Sequence, residues 1–265
     1  MSDLSGLHVS EPASDAGSVT AAAGQEAQAA ARPISPDAAT GWAVLVFVIA
    51  QAIAATVVLT WYSGSATASS SPMYDGTLVA LVTLVTNPAL VALFWGVVRY
   101  HDLDARQFLG LTRFSLRHFL TGILAIAALA ATLYLVAALA KLDLVPRFQT
   151  DTFTSARRDG WLVPLLMAVV VVGPIGEEIM FRGFLYRGWV RPGFVVTPVI
   201  MLTLLWSAMH MQYDWFGISQ VFLTGLVLAW LRWLSGSSAL TIVLHMLVNL
   251  EATTETVLKV GWAAS

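Results

Sequence analysis

Two adjacent carboxylates, Glu177 and Glu178, are the only acidic residues between Trp161 and Met211, in a stretch that is otherwise almost wholly apolar. Arg182 follows them. His210 closes the next apolar stretch, and His245 and Asn249 lie inside the last one. Two of the chain's five histidines fall in apolar stretches, and both belong to this set. An ionisable group at membrane depth costs about 2.5–3.5 kcal/mol on insertion scales, so it usually faces a polar interior and has a job there. A carboxylate beside an imidazole can hold and deprotonate a water, directly or through a metal. Glu and His are both zinc ligands, and a catalytic zinc needs three protein ligands plus water. An Asn amide and a second histidine can steady a developing oxyanion. The chemistry this set supports is hydrolysis.

Helical spacing sorts the set further. Glu178 and Arg182 stand at i and i+4, share a face, and can form a charge-assisted pair. Glu177 is turned about 100° away and stays free. His245 and Asn249 again stand at i and i+4. Counted from the turn at Pro192, Glu177 and His210 lie at matching depths, whereas His245 sits roughly two to three turns nearer the start of its own span. Convergence therefore needs a break near Pro174, tilted helices or a displaced span end.

The elements that must position these residues are membrane helices. Of 265 residues, 57% are hydrophobic and 11% charged, against about 25% charged in a soluble domain. The formal net charge of -2 argues against a nucleic-acid binder, and the absence of cysteine removes disulfides, thiolate metal sites and cysteine nucleophiles. A crossing helix needs ~20 mostly apolar residues. Seven stretches approach that: 41–62, 77–98 with Asn87-Pro88 as a kink, 119–140, 161–190 as one long helix, 194–211, 216–234 and 239–258. The expected fold is all-α and polytopic, with about seven (seven or eight) transmembrane helices around an intramembrane catalytic cavity. Residues 1–40 read as a disordered Ala/Ser/Pro-rich tail, 41–76 as the first helix and an outer loop, 77–258 as the core and 259–265 as a short tail. Arg32, Arg99, Arg106, Arg113, Arg117, Arg187, Arg191 and Arg232 outnumber Lys141, Arg147, Arg157, Arg158 and Lys259 across the two sets of loops. That bias predicts a multi-pass plasma-membrane protein with its N-terminus in the cytoplasm.

The ordered motifs Glu177-Glu178-x-x-x-Arg182, Trp206-x-x-x-His210 and His245-x-x-x-Asn249 resemble the CPBP family of intramembrane proteases, which includes the Ras-converting CAAX prenyl endopeptidase and the bacterial Abi proteins. Trp206 stands where Phe is more usual. Phe108-Leu109-Gly110-Leu111 is also family-like, and the resemblance covers roughly residues 80–255. It implies an intramembrane endopeptidase with a cavity open to cytosol and lipid, cleaving near the cytosolic membrane face. Glu177 is the implied base, working on water with His210. Glu178 and Arg182 are the implied supporting pair, and His245 and Asn249 contact the oxyanion. A metal, such as Zn2+, among Glu177, His210 and His245 and a glutamate-only mechanism both fit these residues. The implied partners are membrane lipids and a membrane-associated or lipidated peptide or protein substrate, with no nucleic acid.

Other readings compete. Glu178 and Arg182 can serve as an ion pair joining helices, and a histidine in a span is commonly a helix–helix hydrogen bonder. Trp206 reads as packing, Arg187 and Arg191 as positive-inside residues, and Tyr213-Asp214 as an exposed loop. Other intramembrane protease types leave no trace: His-Glu-x-x-His, Gly-x-Gly-Asp and Gly-x-Ser-Gly are all missing. The alternative function is a non-proteolytic immunity or scaffold protein of the same family. A proton-relay transporter is weaker, because the spans lack repeat symmetry.

Overall fold

The structure is a computed structural model that describes residues 34–64 and 72–261. The expected tail up to residue 33 and most of the loop after the first helix lie outside the described residues. Among the described residues no strand forms, and an isolated antiparallel bridge pairs Arg191 with Phe194.

Helix α1 spans Pro36–Gly64. It starts earlier than the expected Gly41 because Pro36 brings a preset φ to the first helical position. Ser35 Oγ accepts from the Ala38 N–H at 3.2 Å. Helix α2 spans Gly76–Tyr100 behind an Asp75 cap and runs on through Pro88. A short α3, Ala105–Phe108, leads to α4, Leu116–Ala140, which Ser115 caps. Helix α5, Arg147–Arg158, is an element the sequence reading lacks. It is amphipathic, burying Thr152, Phe153 and Ala156, and a search for long apolar runs passes over it. Helix α6 is the expected single long helix, Leu162–Trp189. Helix α7 spans Val196–Ala208, α8 Trp215–Ser235 and α9 Ser238–Val260.

All seven expected spans are therefore helical, but five are long and apolar enough to cross a bilayer: α1, α2, α4, α6 and α8. At 13 residues α7 falls short, and α9 carries Glu251, Glu255 and Lys259 in its second half. Helix α4 turns most of its surface outward, with Leu116, Leu120, Leu124, Leu135 and Leu139 exposed. That is the pattern of a lipid-facing helix, since a bilayer sets no penalty on outward leucine. The interior stacks Phe94 of α2 and Phe108 of α3 on Phe184 of α6, with ring centroids 4.7 and 5.9 Å apart.

Side-chain bonds mark the two ends of the bundle. At one end Trp189 Nε1 donates to Thr40 at 3.0 Å, and Trp42 Nε1 donates to His101 at 3.1 Å. This end carries Arg99, Arg106, Arg113, Arg117, Arg187 and Arg191. At the other end Lys259 pairs with Asp143 at 3.0 Å, and Gln149 of α5 bonds Tyr213 at 3.3 Å.

Helix α9 starts inside the bundle, with Ser237 and Ser238 fully buried. Ser238 N–H donates to the Gly110 carbonyl at 2.7 Å, and Ser237 Oγ donates to the Thr112 carbonyl at 2.7 Å. Ser238 Oγ donates to the Arg182 carbonyl at 3.0 Å, and Arg232 Nε donates to that same carbonyl at 2.9 Å. Gly110, with φ +71°, must be glycine: a Cβ there would lie 2.7 Å from Arg232 Nη2. The family-like stretch around Gly110 is thus the floor on which α9 begins. Because Ser238 stands level with Arg182, two turns of α9 bring His245 to Glu178. The depth mismatch in the sequence reading came from placing that start at the membrane surface.

Candidate active site

Helix α6 contains two π-helical stretches, Ala168–Val172 and Ile179–Leu185, which bracket Gly173–Glu178. Such widened turns recur at functional sites. In the first, the Gly173 N–H reaches back to the Ala168 carbonyl. The same pairing for Val169 needs an N–H at residue 174, and Pro174 has none. Asn249 Nδ2 fills the gap, donating to the Val169 carbonyl at 2.7 Å. One amide hydrogen of Asn249 is thereby used in holding α9 to α6; its second N–H and its Oδ1 remain.

Glu178 and Arg182 pair as their spacing predicts, Nη1 to Oε1 at 3.0 Å, with both side chains buried. Arg182 Nη2 also donates to the Gly225 carbonyl at 3.1 Å, and the guanidinium lies 4.3 Å from the Trp206 ring centroid. A Cβ at Gly225 would come within 2.8 Å of the Trp206 ring, so glycine lets the backbone carbonyl approach here. His245 Nδ1 meets Glu178 Oε1 at 3.1 Å and is only 3% exposed. Glu178 Oε2 has no hydrogen-bond partner among the described residues. Glu178, Arg182 and His245 thus form one sealed network in which each member offsets the cost of burying the others.

Trp206 is the hub of the remaining residues. Its indole Nε1–H donates to Glu177 Oε2 at 2.6 Å, and its carbonyl meets His210 Nδ1 at 3.0 Å. The ring centroids of His210 and His245 lie 5.4 and 5.3 Å from it, both edge-on. The expected direct contact of Glu177 with His210 is replaced by this shared attachment. Packing was the expected role of Trp206. It is 2% exposed and does pack, but it also supplies an N–H that the more usual Phe lacks. That difference was legible in the motif.

Both histidines are held through Nδ1, one by a carboxylate and one by a carbonyl. An Nδ1–H in each such bond leaves a lone pair at Nε2. In that tautomer His245 accepts a hydrogen from water, and donating to an oxyanion would require the imidazolium. Among the described residues no three His, Asp or Glu side chains gather closely enough to hold a metal ion, so Glu177, His210 and His245 as placed do not form a cage.

A cavity of about 210 Å³ reaches this cluster, lined by Trp206, His210, Tyr213, His245 and Asn249 among others. Glu177 stands at the Nε1 edge of the Trp206 ring and is not among the lining residues. The remaining walls come from Val79 of α2, from α4, α5, the start of α6, the start of α8 and the second half of α9. The cavity thus belongs to the end of the bundle opposite the arginine-bearing loops. At its edge the Tyr134 hydroxyl bonds Glu251 at 3.1 Å and also Glu255.

Tyr213 departs from the expected exposed loop. Its ring packs between His210 at 5.6 Å and Phe148 at 5.8 Å. Burial pushes the phenol pKa up, and the Glu177 charge adds to that, so the phenol stays protonated at neutral pH. Its position three residues beyond the motif histidine was the available signal.

The family model for type II CAAX prenyl endopeptidase Rce1-like proteins matches residues 159–250. That segment holds Glu177, Glu178, Arg182, Trp206, His210, His245 and Asn249 together. No curated protein and no solved structure matches the chain. Residues 159–250, with the motifs that lie within them, are thus similar to the Rce1-like proteins, a match consistent with a CPBP-family intramembrane protease.

Proposed function

We propose that this protein is an intramembrane endopeptidase that uses Glu177 and His210 to activate the attacking water. The observation that carries the reading is the convergence of polar side chains from α6, α7 and α9 on one indole beside a cavity. Water held at the Nε2 positions of His210 and His245 attacks the peptide carbonyl carbon. Its proton passes to the base, imidazole or Glu177, and then to the leaving amine. The free N–H of Asn249 receives the oxyanion. Glu178 and Arg182 orient His245 and Trp206, and they take no proton. A metal would supply Lewis-acid activation of the same water through Glu177, His210 and His245, after a rearrangement that brings those three together.

The N-terminal end of α1 lies with the arginine-bearing loops, so a cytoplasmic N-terminus turns the cavity away from the cytosol. The expected cleavage at the cytosolic face then holds only for the opposite orientation. Since the chain has no cysteine, single substitutions settle the matter cleanly. Thr253→Cys at the cavity end should react with a membrane-impermeant maleimide from outside intact cells, and Ser115→Cys should not.

The test of function is cleavage of a quenched-fluorescent lipidated peptide, beside a transmembrane one, by purified protein with and without chelator. Glu177→Gln should lower kcat by at least about a hundredfold. Loss on chelation with recovery on zinc would assign a metalloprotease; loss with Glu177→Gln alone supports the glutamate-centred form. Cleavage that survives Glu177→Gln would sink the assignment. A second reading, a non-proteolytic membrane scaffold, draws on the bonds that occupy Glu177 and Asn249. It predicts that Glu177→Gln leaves cellular function intact.

A further inference from the structure

We propose that Tyr213 is a further catalytic residue, its phenol O–H donating to the oxyanion formed on the scissile carbonyl. The inference rests on the proteolytic reading above and concerns the same cavity. Three observations place the hydroxyl. Tyr213 lines the cavity together with His210, His245 and Asn249. Its oxygen accepts from Gln149 Nε2 at 3.3 Å, and Gln149 Oε1 lies 3.2 Å from the Thr256 hydroxyl, which also bonds the Ala252 carbonyl at 2.9 Å. A phenol that already accepts has its own hydrogen left to give, and no acceptor for it occurs among the described residues.

The chemistry of the neighbours creates the need. His245 gives its Nδ1–H to Glu178, and Asn249 gives one N–H to Val169. The second N–H of Asn249 is then the sole donor left to the oxyanion among the motif residues. Water attack forms the C–O bond and moves the carbonyl π pair onto oxygen, with the water proton going to the base. Asn249 and Tyr213 stabilise that oxygen by hydrogen bonds. Collapse restores the C=O bond and breaks the C–N bond, and the amine leaves with the proton held by the base. Tyr213 keeps its proton throughout.

The ring is held by Phe148 and His210 rather than by its hydroxyl alone, so Tyr213→Phe should fold. The experiment is steady-state cleavage of the quenched-fluorescent lipidated peptide by the full chain in detergent micelles, comparing wild type, Tyr213→Phe, Gln149→Leu and Glu177→Gln, with Tm of each. Tyr213→Phe should lower kcat about 10²–10³-fold, the loss typical of one oxyanion donor, with KM within about twofold and Tm unchanged. Gln149→Leu, which keeps the phenol, should retain at least about a tenth of wild-type kcat, a bound set so that its loss stays well below that of one donor. Tyr213→Phe with near-wild-type kcat, while Glu177→Gln is dead, overturns this inference and leaves the base assignment standing. Equal kcat losses in Tyr213→Phe and Gln149→Leu, with matching falls in Tm, also overturn it by reducing Tyr213 to a strut. A wild type that cleaves nothing, or a Glu177→Gln that cleaves normally, overturns both readings.

Discussion

Glu178, inside the bundle, is wholly buried and its Oε1 bears both Arg182 and His245. Glu177, at the Nε1 edge of the Trp206 ring, is half-buried and tied by the indole N–H. Neighbours in sequence and chemically identical, the two carboxylates differ because one helical step turns them about 100° apart. One faces the α8–α9 interior and the other the gap between α2 and α7. Full burial keeps Glu178 from water, whereas Glu177 is only half-buried. Adjacency in the motif thus gives two different environments.

That contrast breaks most severely at the sealed side. Glu178→Ala leaves Arg182 a buried charge without its partner and should cost about 3–5 kcal/mol, read as a large fall in Tm or in resistance to denaturant. Trp206→Phe sharpens the comparison: it keeps an aromatic ring under Arg182 but removes the donor to Glu177. A hydrogen bond to a charged group contributes about 1.5–3 kcal/mol, and kcat should fall by about tenfold, with Tm moving much less than in Glu178→Ala. Asn249→Leu strands the Val169 carbonyl and should cost about 1–3 kcal/mol of stability, in addition to its effect on cleavage. The smallest effect belongs to the far surface. The hydrogen bond from Arg158 holds Asp159 below the usual carboxylate range, so any stability it contributes is present above the unfolded value and fades as pH falls through the folded one. The Arg158 side chain is 70% exposed and that of Asp159 35%, so solvent screens the pair and Arg158→Ala should leave the pH dependence of Tm almost unchanged.

Much of this arrangement was open to a reading of residue types. The long helix over α6 and the i, i+4 pairing of Glu178 with Arg182 follow from apolar runs and helical spacing. The polar cluster announces itself because charge is expensive in hydrocarbon. What spacing could not supply was anything that depends on where one helix stands against another. The buried start of α9 rests on bonds from Gly110 and Thr112, more than a hundred residues away in sequence. The π stretches follow from packing, although Pro174 foretold a carbonyl in need of a partner. Helix α5 escaped because only Thr152, Phe153 and Ala156 of its residues are buried, too few for an apolar run.

Helix α7 reaches only 13 residues, about 20 Å at the rise of an α-helix, while the hydrocarbon layer is about 30 Å thick. Its outward side chains, Val196, Ile200, Met201, Leu204 and Leu205, are nonetheless apolar and exposed. A wall this short is matched by local thinning of the bilayer, by snorkelling of flanking side chains or by oligomerisation. His210 follows its last turn. Under the proposed proteolytic function, thinning there would bring water and a substrate segment together below the nominal membrane surface.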